Sequence, residues 1–287
     1  MNTNDLKIFE AVAESGSFTK AATMMYTVQS NVTARIKSLE EEFDTKLFSR
    51  TSRKVELTPE GLILMQYCKQ IQHLMEEAKH NIQSSDRIRG CLKIGCIETT
   101  MALKAPEIYR VFEEKYPDVE LEFKSDTRDS LILDVLNYRL DAAFVSAPIN
   151  INGLEKISIK EEQLVMVASS KGPQLSTLLT KEPLKIVVFD KGCIFRERLE
   201  SWLSHKGILN YKSTVVNSIE GIVNFVEAGL GISILPEEIV SACYSGREIK
   251  SYGLSKQLGT MNTVLVFRKD GPGSRALQCF MDMYSQR

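Results

Sequence analysis

The apolar positions near the start of the chain recur at helical spacing, which predicts a first amphipathic helix. Gly16 is placed to end this helix, and Ser17 can cap the next one, which covers the letters FTKAATMMY. The apolar stripe of the first helix consists of Leu6, Ile8, Phe9, Val12 and Ala13. The chain therefore opens with two short helices joined by a glycine turn.

A third amphipathic segment, VQSNVTARIKSLEEEF, repeats apolar residues at steps of four, three and four. This spacing predicts a helix that buries Val32, Ile36, Leu39 and Phe43. The same phase turns small, uncharged, hydrogen-bonding residues outward at the front of the helix, and acids come only at its far end. The outward face consists of Ser30, Asn31, Ala34 and Lys37, with Thr33 at its edge and Gln29 in the first turn. Such a face can approach the base edges of DNA closely.

A short, positively charged hairpin is predicted directly after the third helix, in KLFSRTSRKVELTPEG. Leu47 and Phe48 are expected in the core, Arg50, Arg53 and Lys54 surround the turn, and VELT resumes as a strand. From position 20 to position 54, seven basic side chains stand against four acidic ones. This excess indicates a local basic surface in a chain whose overall formal charge is only −1.

A single long helix is predicted over residues 59–89, after the three helices and hairpin of residues 1–58. Thr58 can cap it and Pro59 suits its first turn. Beyond the first turn, apolar residues follow the three-four alternation of a heptad seam. The seam consists of Leu64, Tyr67, Ile71, Leu74 and Ala78. It suits either packing against the chain's own domains or a coiled coil with a second copy.

Residues 90–287 alternate short apolar strands with helices, which predicts an α/β class. The segments CLKIGCI, VELEFKSD and LDAAFVSAP, with helices between them, form a β-α-β-α-β run and therefore a parallel, doubly wound sheet. The pattern then restarts at EQLVMVAS and ends in the helix SRALQCFMDMYSQ. We expect two α/β subdomains, one covering about 90–161 and 268–287 and the other about 162–267.

A ligand site is expected at the carboxyl ends of the parallel strands, where helix N-termini present free N–H groups. Hydroxyls and backbone amides there suit a small carboxylate, and Arg196 is the candidate for pairing with its charge. Glu98 would repel an anion unless paired and would suit a cationic group, so the ligand's charge stays open. Each hydroxyl can also be an ordinary helix cap. The candidates are Glu98, Thr99, Thr100, Met101, Thr127, Ser146, Ala147, Pro148, Cys193, Phe195, Arg196 and Ser218.

Residues 5–61 resemble the N-terminal domain of LysR-type transcriptional regulators, through DLKIFEAVAESGSFTKAA, VQSNVTARIKSLE and LFSRTSRKVELTPEG. The resemblance extends more weakly over the rest of the chain. It implies a winged helix-turn-helix, a linker helix that dimerises, and an effector-binding domain like periplasmic solute-binding proteins. The family usually has Ser at the position of Val28 and a longer polar residue at that of Ala34.

The resemblance implies contacts with bases or phosphates from Gln29, Ser30 and Thr33, and a minor-groove contact from Arg53 on the wing. Arg35 points partly sideways and can contact a phosphate or only pair with an acid. The implied partners are double-stranded DNA with an inverted repeat, a second copy through the linker helix, a tetramer built of such dimers, and RNA polymerase. The full set of expected DNA-binding residues is Gln29, Ser30, Asn31, Thr33, Arg35, Lys37, Arg50 and Arg53.

Composition narrows the remaining classes of function. No run approaches about 18 apolar residues, and the N-terminus lacks the apolar core of a secretion signal, so a cytoplasmic protein is expected. The six cysteines show no CxxC spacing, which argues against zinc and, in a reducing compartment, against disulfides. An enzyme with an N-terminal DNA-binding attachment is the alternative, but GxSxG, P-loop and HExxH motifs are missing. A transport solute-binding protein would need export. We expect no catalytic residue, metal or cofactor beyond a small-molecule effector.

Overall fold

The computed structural model describes residues 1–50, 54–83, 87–269 and 273–285. The chain divides into two units, residues 1–83 and residues 84–287. The first unit contains α1 (Thr3–Ser15), α2 (Phe18–Met24), α3 (Gln29–Glu42), β1 (Phe48–Arg50), β2 (Val55–Leu57) and α4 (Pro59–Gln83). The helices and the hairpin thus follow the order that the sequence predicts.

Local capping fixes the ends of the first helices. Asn2 and Asp5 form a reciprocal capping box at the start of α1, and Gly16 ends that helix with φ at +60°, a conformation that glycine adopts without steric cost. The Ser17 side chain accepts a hydrogen bond from Lys20 N–H at the start of α2. At α4, Thr58 Oγ1 accepts from Gly61 N–H at 3.0 Å. The predicted caps at Ser17 and Thr58 are therefore confirmed.

The core of the first unit collects the apolar stripes of its helices around an aromatic cluster. Val32, Ile36 and Leu39 are buried as predicted, and the Phe48 ring lies 5.2 Å from the ring of Phe9. The prediction for Phe43 was wrong, because its side chain remains 42% exposed. Phe43 is the C-cap residue of α3, so no further helical turn follows to fix its side chain in the stripe.

Glu40 is a buried acid that connects α3 to the hairpin. Glu40 is only 5% exposed. Its Oε1 accepts hydrogen bonds from Leu47 N–H at 3.0 Å and from Phe48 N–H at 3.4 Å. Its Oε2 accepts from Lys46 Nζ at 2.9 Å. The carboxylate therefore satisfies the first backbone donors of the strand that follows α3.

The second unit is a larger α/β assembly. Its elements are β3 (Gly90–Cys96), α5 (Glu98–Leu103), α6 (Ala105–Lys115), β4 (Val119–Ser125), α7 (Arg128–Leu136), β5 (Ala142–Ser146), β6 (Leu154–Ser169), α8 (Leu175–Leu179), β7 (Leu184–Val188), α9 (Ile194–His205), β8 (Tyr211–Val215), α10 (Ile219–Glu227), β9 (Ser233–Pro236), α11 (Glu237–Cys243), β10 (Ile249–Gly253), α12 (Lys256–Gly259), β11 (Thr260–Arg268) and α13 (Arg275–Ser285).

The main sheet of this unit is mixed. Its strands lie in the order β10-β6-β11-β5-β3-β4, and β9 pairs with β6 outside that path. β3 is parallel to both β4 and β5, as the β-α-β-α-β pattern predicts, whereas β6 and β11 run antiparallel to their neighbours. β7 and β8 form a separate parallel pair. The sequence predicted only the end of β6, which in fact begins at Leu154.

β6 is the strand that connects the two halves of this sheet. Its first half pairs with β11, and its second half pairs with β10 and β9. The division into subdomains at about residues 162 and 268 stays a prediction. Among the helices in the described parts of the chain, none combines the length and hydropathy that a membrane span requires.

Candidate DNA-binding surface and effector cleft

The front of α3 is an exposed surface held on a buried stripe. Gln29, Ser30, Ala34 and Lys37 are exposed, while Asn31 and Thr33 are partly buried. The N-cap residue Val28 has no side-chain acceptor, so it caps none of the first N–H groups of α3. Such N–H groups can donate to a phosphate oxygen, and small side chains beside them allow close approach to a nucleic acid.

Several polar residues of α3 are engaged within the unit. Arg35 Nη1 donates to Asp5 Oδ1 at 2.8 Å, so the structure shows the acid-pairing alternative for this residue. Asn31 Nδ2 donates to Thr27 Oγ1 at 2.9 Å, and Lys37 Nζ lies 3.4 Å from Glu41 Oε1 in an exposed pair. Arg35 therefore fixes α3 against α1 rather than lying free on the surface.

The hairpin beside α3 is the predicted wing. β1 and β2 pair antiparallel with Arg50 opposite Val55, and Lys54 Nζ lies 3.4 Å from Glu56 Oε1. Arg53 and the side chain of Arg50 lie outside the described residues, so their roles stay predictions.

The structure shows one exposed aromatic residue close to α3 that was not predicted from the sequence. Tyr26, in the turn before α3, is 98% exposed and has φ at +51°. An aromatic residue in the turn was the available signal.

The predicted heptad seam of α4 is only partly covered by the first unit. Leu64 is buried and Ile71 packs on the core of the first unit, whereas Tyr67 and Leu74 are more than half exposed. The coiled coil with a second copy therefore stays a prediction. The exposed α4 stripe consists of Ile63, Tyr67, Leu74 and Ala78, at steps of four, seven and four. The three-four spacing identified the side of the helix, but it could not show how much of that side the first unit covers.

A cleft of about 570 Å³ lies in the second unit, at the carboxyl end of β3 and β5 and the starts of α5, α7 and α9. Seven predicted residues line it, namely Glu98, Thr99, Met101, Thr127, Ser146, Cys193 and Phe195. Arg128 also lines this cleft. It was not predicted from the sequence, although Arg128 begins a helix that follows a parallel strand. Helix N-termini therefore converge here as the α/β pattern predicts.

Five predicted ligand residues do not line this cleft. They are Thr100, Ala147, Pro148, Arg196 and Ser218. Thr100 lines a different cavity, and Ser218 Oγ accepts from Gly221 N–H at 3.1 Å, which is the helix-cap alternative. Ala147 N–H donates to Asn262 O at 2.8 Å. These residues were expected on the basis of sequence position alone; local hydrogen bonds hold the side chains of Ser218 and Arg196, whereas Thr100 faces the other cavity.

The expected cation of the cleft was wrongly assigned. Arg196 Nε donates to Glu200 Oε1 at 2.9 Å and its Nη1 to Phe189 O at 3.3 Å, so its charge is engaged one turn along its own helix. Arg128, rather than Arg196, is the arginine that lines the cleft. Its Nη2 donates to Pro148 O at 2.6 Å, and its buried Nε has no hydrogen-bond partner among the described residues.

Two buried hydroxyls accompany Arg128. Thr99 Oγ1 and Ser146 Oγ both line the cleft and have no hydrogen-bond partner among the described residues. Glu98 also lines the cleft, and its Oε1 accepts from Ile219 N–H at 2.9 Å at the start of α10. Burial raises the pKa of the Glu98 carboxyl, and this hydrogen bond opposes the rise. The cleft thus holds three donors that lack an acceptor.

The thiol of Cys193 is poorly suited to redox chemistry. Burial raises its pKa, although hydrogen bonds from the backbone of Phe195 and Arg196 oppose the effect. A raised pKa disfavours the reactive thiolate. Among the described residues, no group of three His, Cys, Asp or Glu side chains could hold a metal ion.

Sequence comparison identifies the class of protein that has this two-part architecture. The family profile of the bacterial regulatory helix-turn-helix proteins of the lysR family matches residues 3–62, and the LysR substrate binding domain matches residues 85–287. The chain belongs to the LysR family of transcriptional regulators. It is a DNA-binding regulator with an effector-binding domain, and the enzyme alternative is set aside because the family consists of regulators.

Individual relatives agree with this assignment. The chain is 37% identical to the uncharacterized HTH-type transcriptional regulator YusT of Bacillus subtilis over 99% of its length and 96% of the relative. It is 36% identical to the HTH-type transcriptional regulator GltR of the same organism, over 98% and 95% of the two chains. Among solved structures, full-length CbnR complexed with its target DNA shares the fold with a TM-score of 0.72 at 21% identity, covering 100% of this chain and 99% of CbnR.

Proposed function

We propose that this regulator binds an inverted-repeat promoter site as a homodimer, lays the front of α3 into the major groove, and responds to a small carboxylate in the effector cleft. The observation that carries the proposal is the exposed, uncharged start of α3, which is fixed from behind by buried Val32 and Ile36. A protein that binds promoter DNA in this way would act in the cytoplasm.

The proposed DNA contacts divide by chemistry. Gln29 can bond to a base edge, and Ser30 and Thr33 can donate to bases or phosphates. Lys37, together with Arg50 and Arg53 on the wing, supplies positive charge for phosphates. Asn31 and Arg35 act from within the unit, since Arg35 is paired with Asp5 and therefore positions α3.

The exposed α4 stripe supports dimerisation through this helix. Ile63 and Tyr67 are each 56% exposed and Leu74 is 57% exposed, which places large apolar side chains in water on one face. A second copy of the same helix can cover them, as in a two-stranded coiled coil. Dimerisation would present two copies of α3 to two half-sites. Pairing of dimers into a tetramer, and contact with RNA polymerase, are further parts of this proposal.

The unpartnered donors of the effector cleft support a small carboxylate as the effector. Arg128 Nε and the hydroxyls of Thr99 and Ser146 line the same cleft, and a carboxylate accepts hydrogen bonds of this kind. Three carboxylates also line the cleft, and each accepts a hydrogen bond from its own surroundings: Glu98 from Ile219 N–H, Asp126 from Thr127 N–H and Ser130 Oγ, and Asp190 from Lys191 N–H. Effector binding would shift the DNA-bound arrangement by its difference in affinity between states.

DNA recognition is tested by fluorescence anisotropy on the regulator's own upstream DNA at several salt concentrations, with Ser30→Glu as the variant. A carboxylate at this exposed position would be repelled by DNA, so affinity should fall at least about tenfold. The same carboxylate lies in the first turn of α3, where it interacts favourably with the helix dipole, so the fold should remain intact.

Ser38→Glu is the matched control, because Ser38 is also exposed on α3 but lies two turns further along. It should retain most of the affinity. If Ser30→Glu binds the specific site as tightly as the unmodified protein, the front of α3 is not the recognition surface. Arg53→Ala should also reduce the slope of affinity against salt by about one ion.

Dimerisation is tested separately by sedimentation of Leu74→Lys, which places a charge in the exposed α4 stripe. We expect a shift toward monomer. Lys79→Gln, on the same helix outside the stripe, should leave the mass unchanged. A dimer that persists in Leu74→Lys would refute the stripe as the interface without affecting the proposal for α3.

A further inference from the structure

The second unit contains another cavity, distinct from the effector cleft. Its volume is about 250 Å³, which is enough for several water molecules or one small organic molecule. α5 contributes to both sites, because Thr99 lines the cleft and Thr100 lines the second cavity. Adjacent residues on one helix therefore contact two separate spaces.

The lining of the second cavity combines polar and apolar walls. Polar side chains come from α5, β6 and β11, from Lys104 just before α6 and from Glu107 within α6; apolar side chains come from α6, β5, β6 and α13. The polar lining includes Thr100, Lys104, Lys160, Glu162 and Thr263. The apolar lining includes Ile108, Val111, Phe144, Ile159 and Met283. This combination is typical of a site for a small amphipathic molecule.

Two polar atoms in this cavity have no hydrogen-bond partner among the described residues. Thr100 is only 5% exposed and its Oγ1 is unsatisfied. Glu162 Oε1 accepts from Thr263 Oγ1 at 3.1 Å, but its Oε2 is buried and unsatisfied. Buried groups of this kind are costly and rare in native proteins, and a ligand in the adjoining cavity can satisfy both.

The charges around the cavity include both signs. Lys104 and Lys160 both pair with Glu238, at 3.4 Å for Lys104 Nζ and at closer range for Lys160 Nζ. Lys104 Nζ also lies 4.0 Å from Glu107. The two ammonium groups are therefore already balanced by two carboxylates outside Glu162. The Glu162 carboxyl has no ion-pair partner among the described residues, so a ligand ammonium group can pair with it, while a ligand carboxylate can accept further hydrogen bonds from Lys104 and Lys160.

We propose that this cavity binds a small zwitterionic amino acid with an apolar side chain. Its ammonium group would donate to Glu162 Oε2 and Thr100 Oγ1, and its carboxylate would accept from Lys104 and Lys160. Its side chain would pack on the apolar lining around Phe144. Such a site is separate from the effector cleft and would give the regulator a second small-molecule input.

The ligand class is tested by isothermal titration of the full-length protein with four probes. L-leucine and L-phenylalanine carry both charged groups, isopentylamine lacks the carboxylate of leucine, and isocaproate lacks its ammonium group. We expect saturable binding of at least one of the two amino acids. Loss of either charged group from leucine should weaken binding about tenfold or more if leucine is the ligand that binds.

The location is tested with a matched pair of variants on α5. Thr100→Val removes a hydroxyl that has no hydrogen-bond partner among the described residues, so the melting temperature should be retained while amino-acid affinity falls about tenfold. Glu162→Gln should weaken binding to a similar extent. Thr99→Val makes the same change one residue away, in the effector cleft, and should leave amino-acid affinity unchanged.

Three results would overturn the proposal. The first is the absence of saturable binding by both amino acids. The second is isocaproate or isopentylamine binding as tightly as leucine. The third is loss of binding in Thr99→Val with retention in Thr100→Val, which would assign the amino acid to the effector cleft.

Discussion

Glu40→Ala should destabilise the first unit far more than its position on a polar segment of α3 suggests. The substitution removes the acceptor for two buried backbone N–H groups, Leu47 N–H at 3.0 Å and Phe48 N–H at 3.4 Å. A buried donor left without a partner costs about 1–3 kcal/mol. The longer bond contributes less, and Lys46 is largely exposed, so its ion pair adds little. We expect a loss of about 2–4 kcal/mol in the free energy of unfolding.

The assay is urea denaturation of the full-length protein followed by two signals. Trp202 is the only tryptophan and lies in the second unit, so its fluorescence monitors that unit, whereas far-ultraviolet circular dichroism monitors both. For Glu40→Ala, the circular-dichroism transition of the first unit should move to lower urea by about 1 M or more. The fluorescence transition should not move.

The neighbouring acid provides the control. Glu41 is exposed and forms only an exposed pair with Lys37, so Glu41→Ala should cost less than about 0.5 kcal/mol. If Glu40→Ala and Glu41→Ala unfold at the same urea concentration, the buried carboxylate does not connect α3 to β1 as described. The reasoning would then be wrong.

The same residue predicts a dependence on pH. Burial tends to raise the pKa of Glu40, but the hydrogen bonds from Lys46, Leu47 N–H and Phe48 N–H together hold it below its usual value. A lowered folded-state pKa stabilises the protein above the unfolded pKa of about 4.3, and this contribution is lost as the pH falls through the folded value. The difference in stability between the unmodified protein and Glu40→Gln should therefore shrink in acid.

Three further changes have definite expected outcomes. Gly61→Ala should lower the melting temperature, because the added Cβ would lie 2.2 Å from Leu47 O, and overpacking of this kind costs about 1–3 kcal/mol; an unchanged or higher melting temperature would contradict the close approach. At pH 8 a thiol reagent should modify exposed Cys243 quickly and Cys96 only after denaturation, because burial raises the pKa of Cys96 to about 12; equal rates would exclude this. Arg128→Met should abolish the thermal shift given by whichever small carboxylate stabilises the unmodified protein, and a retained shift would remove Arg128 from the cleft's binding groups.

Local signals in the sequence predicted much of the first unit. Gly16 and Ser17 end one helix and begin the next, and Pro59 begins α4, because caps and turns depend on a few neighbouring residues. The buried stripe of Val32 and Ile36 followed from helical periodicity. The parallel β3, β4 and β5 likewise followed from the alternation of strands and helices.

Side-chain direction at the candidate sites required the tertiary structure. Arg196 and Arg128 both stand at helix starts after parallel strands, so sequence position did not separate them. Arg196 donates a hydrogen bond to Glu200 on its own helix, whereas Arg128 donates to Pro148 O in a later segment of the chain. Thr100 similarly faces a different cavity from its neighbour on α5.

The order of elements, the helix ends and the family could be predicted without coordinates, since they depend on spacing and on nearby residues. The folded structure was needed to establish how much of the α4 seam is covered, which arginine lines the cleft and which hydroxyls lack partners among the described residues. Those outcomes depend on contacts between residues far apart in the chain. A pattern of apolar and polar positions shows that a side chain is buried or exposed, but it does not show what lies opposite.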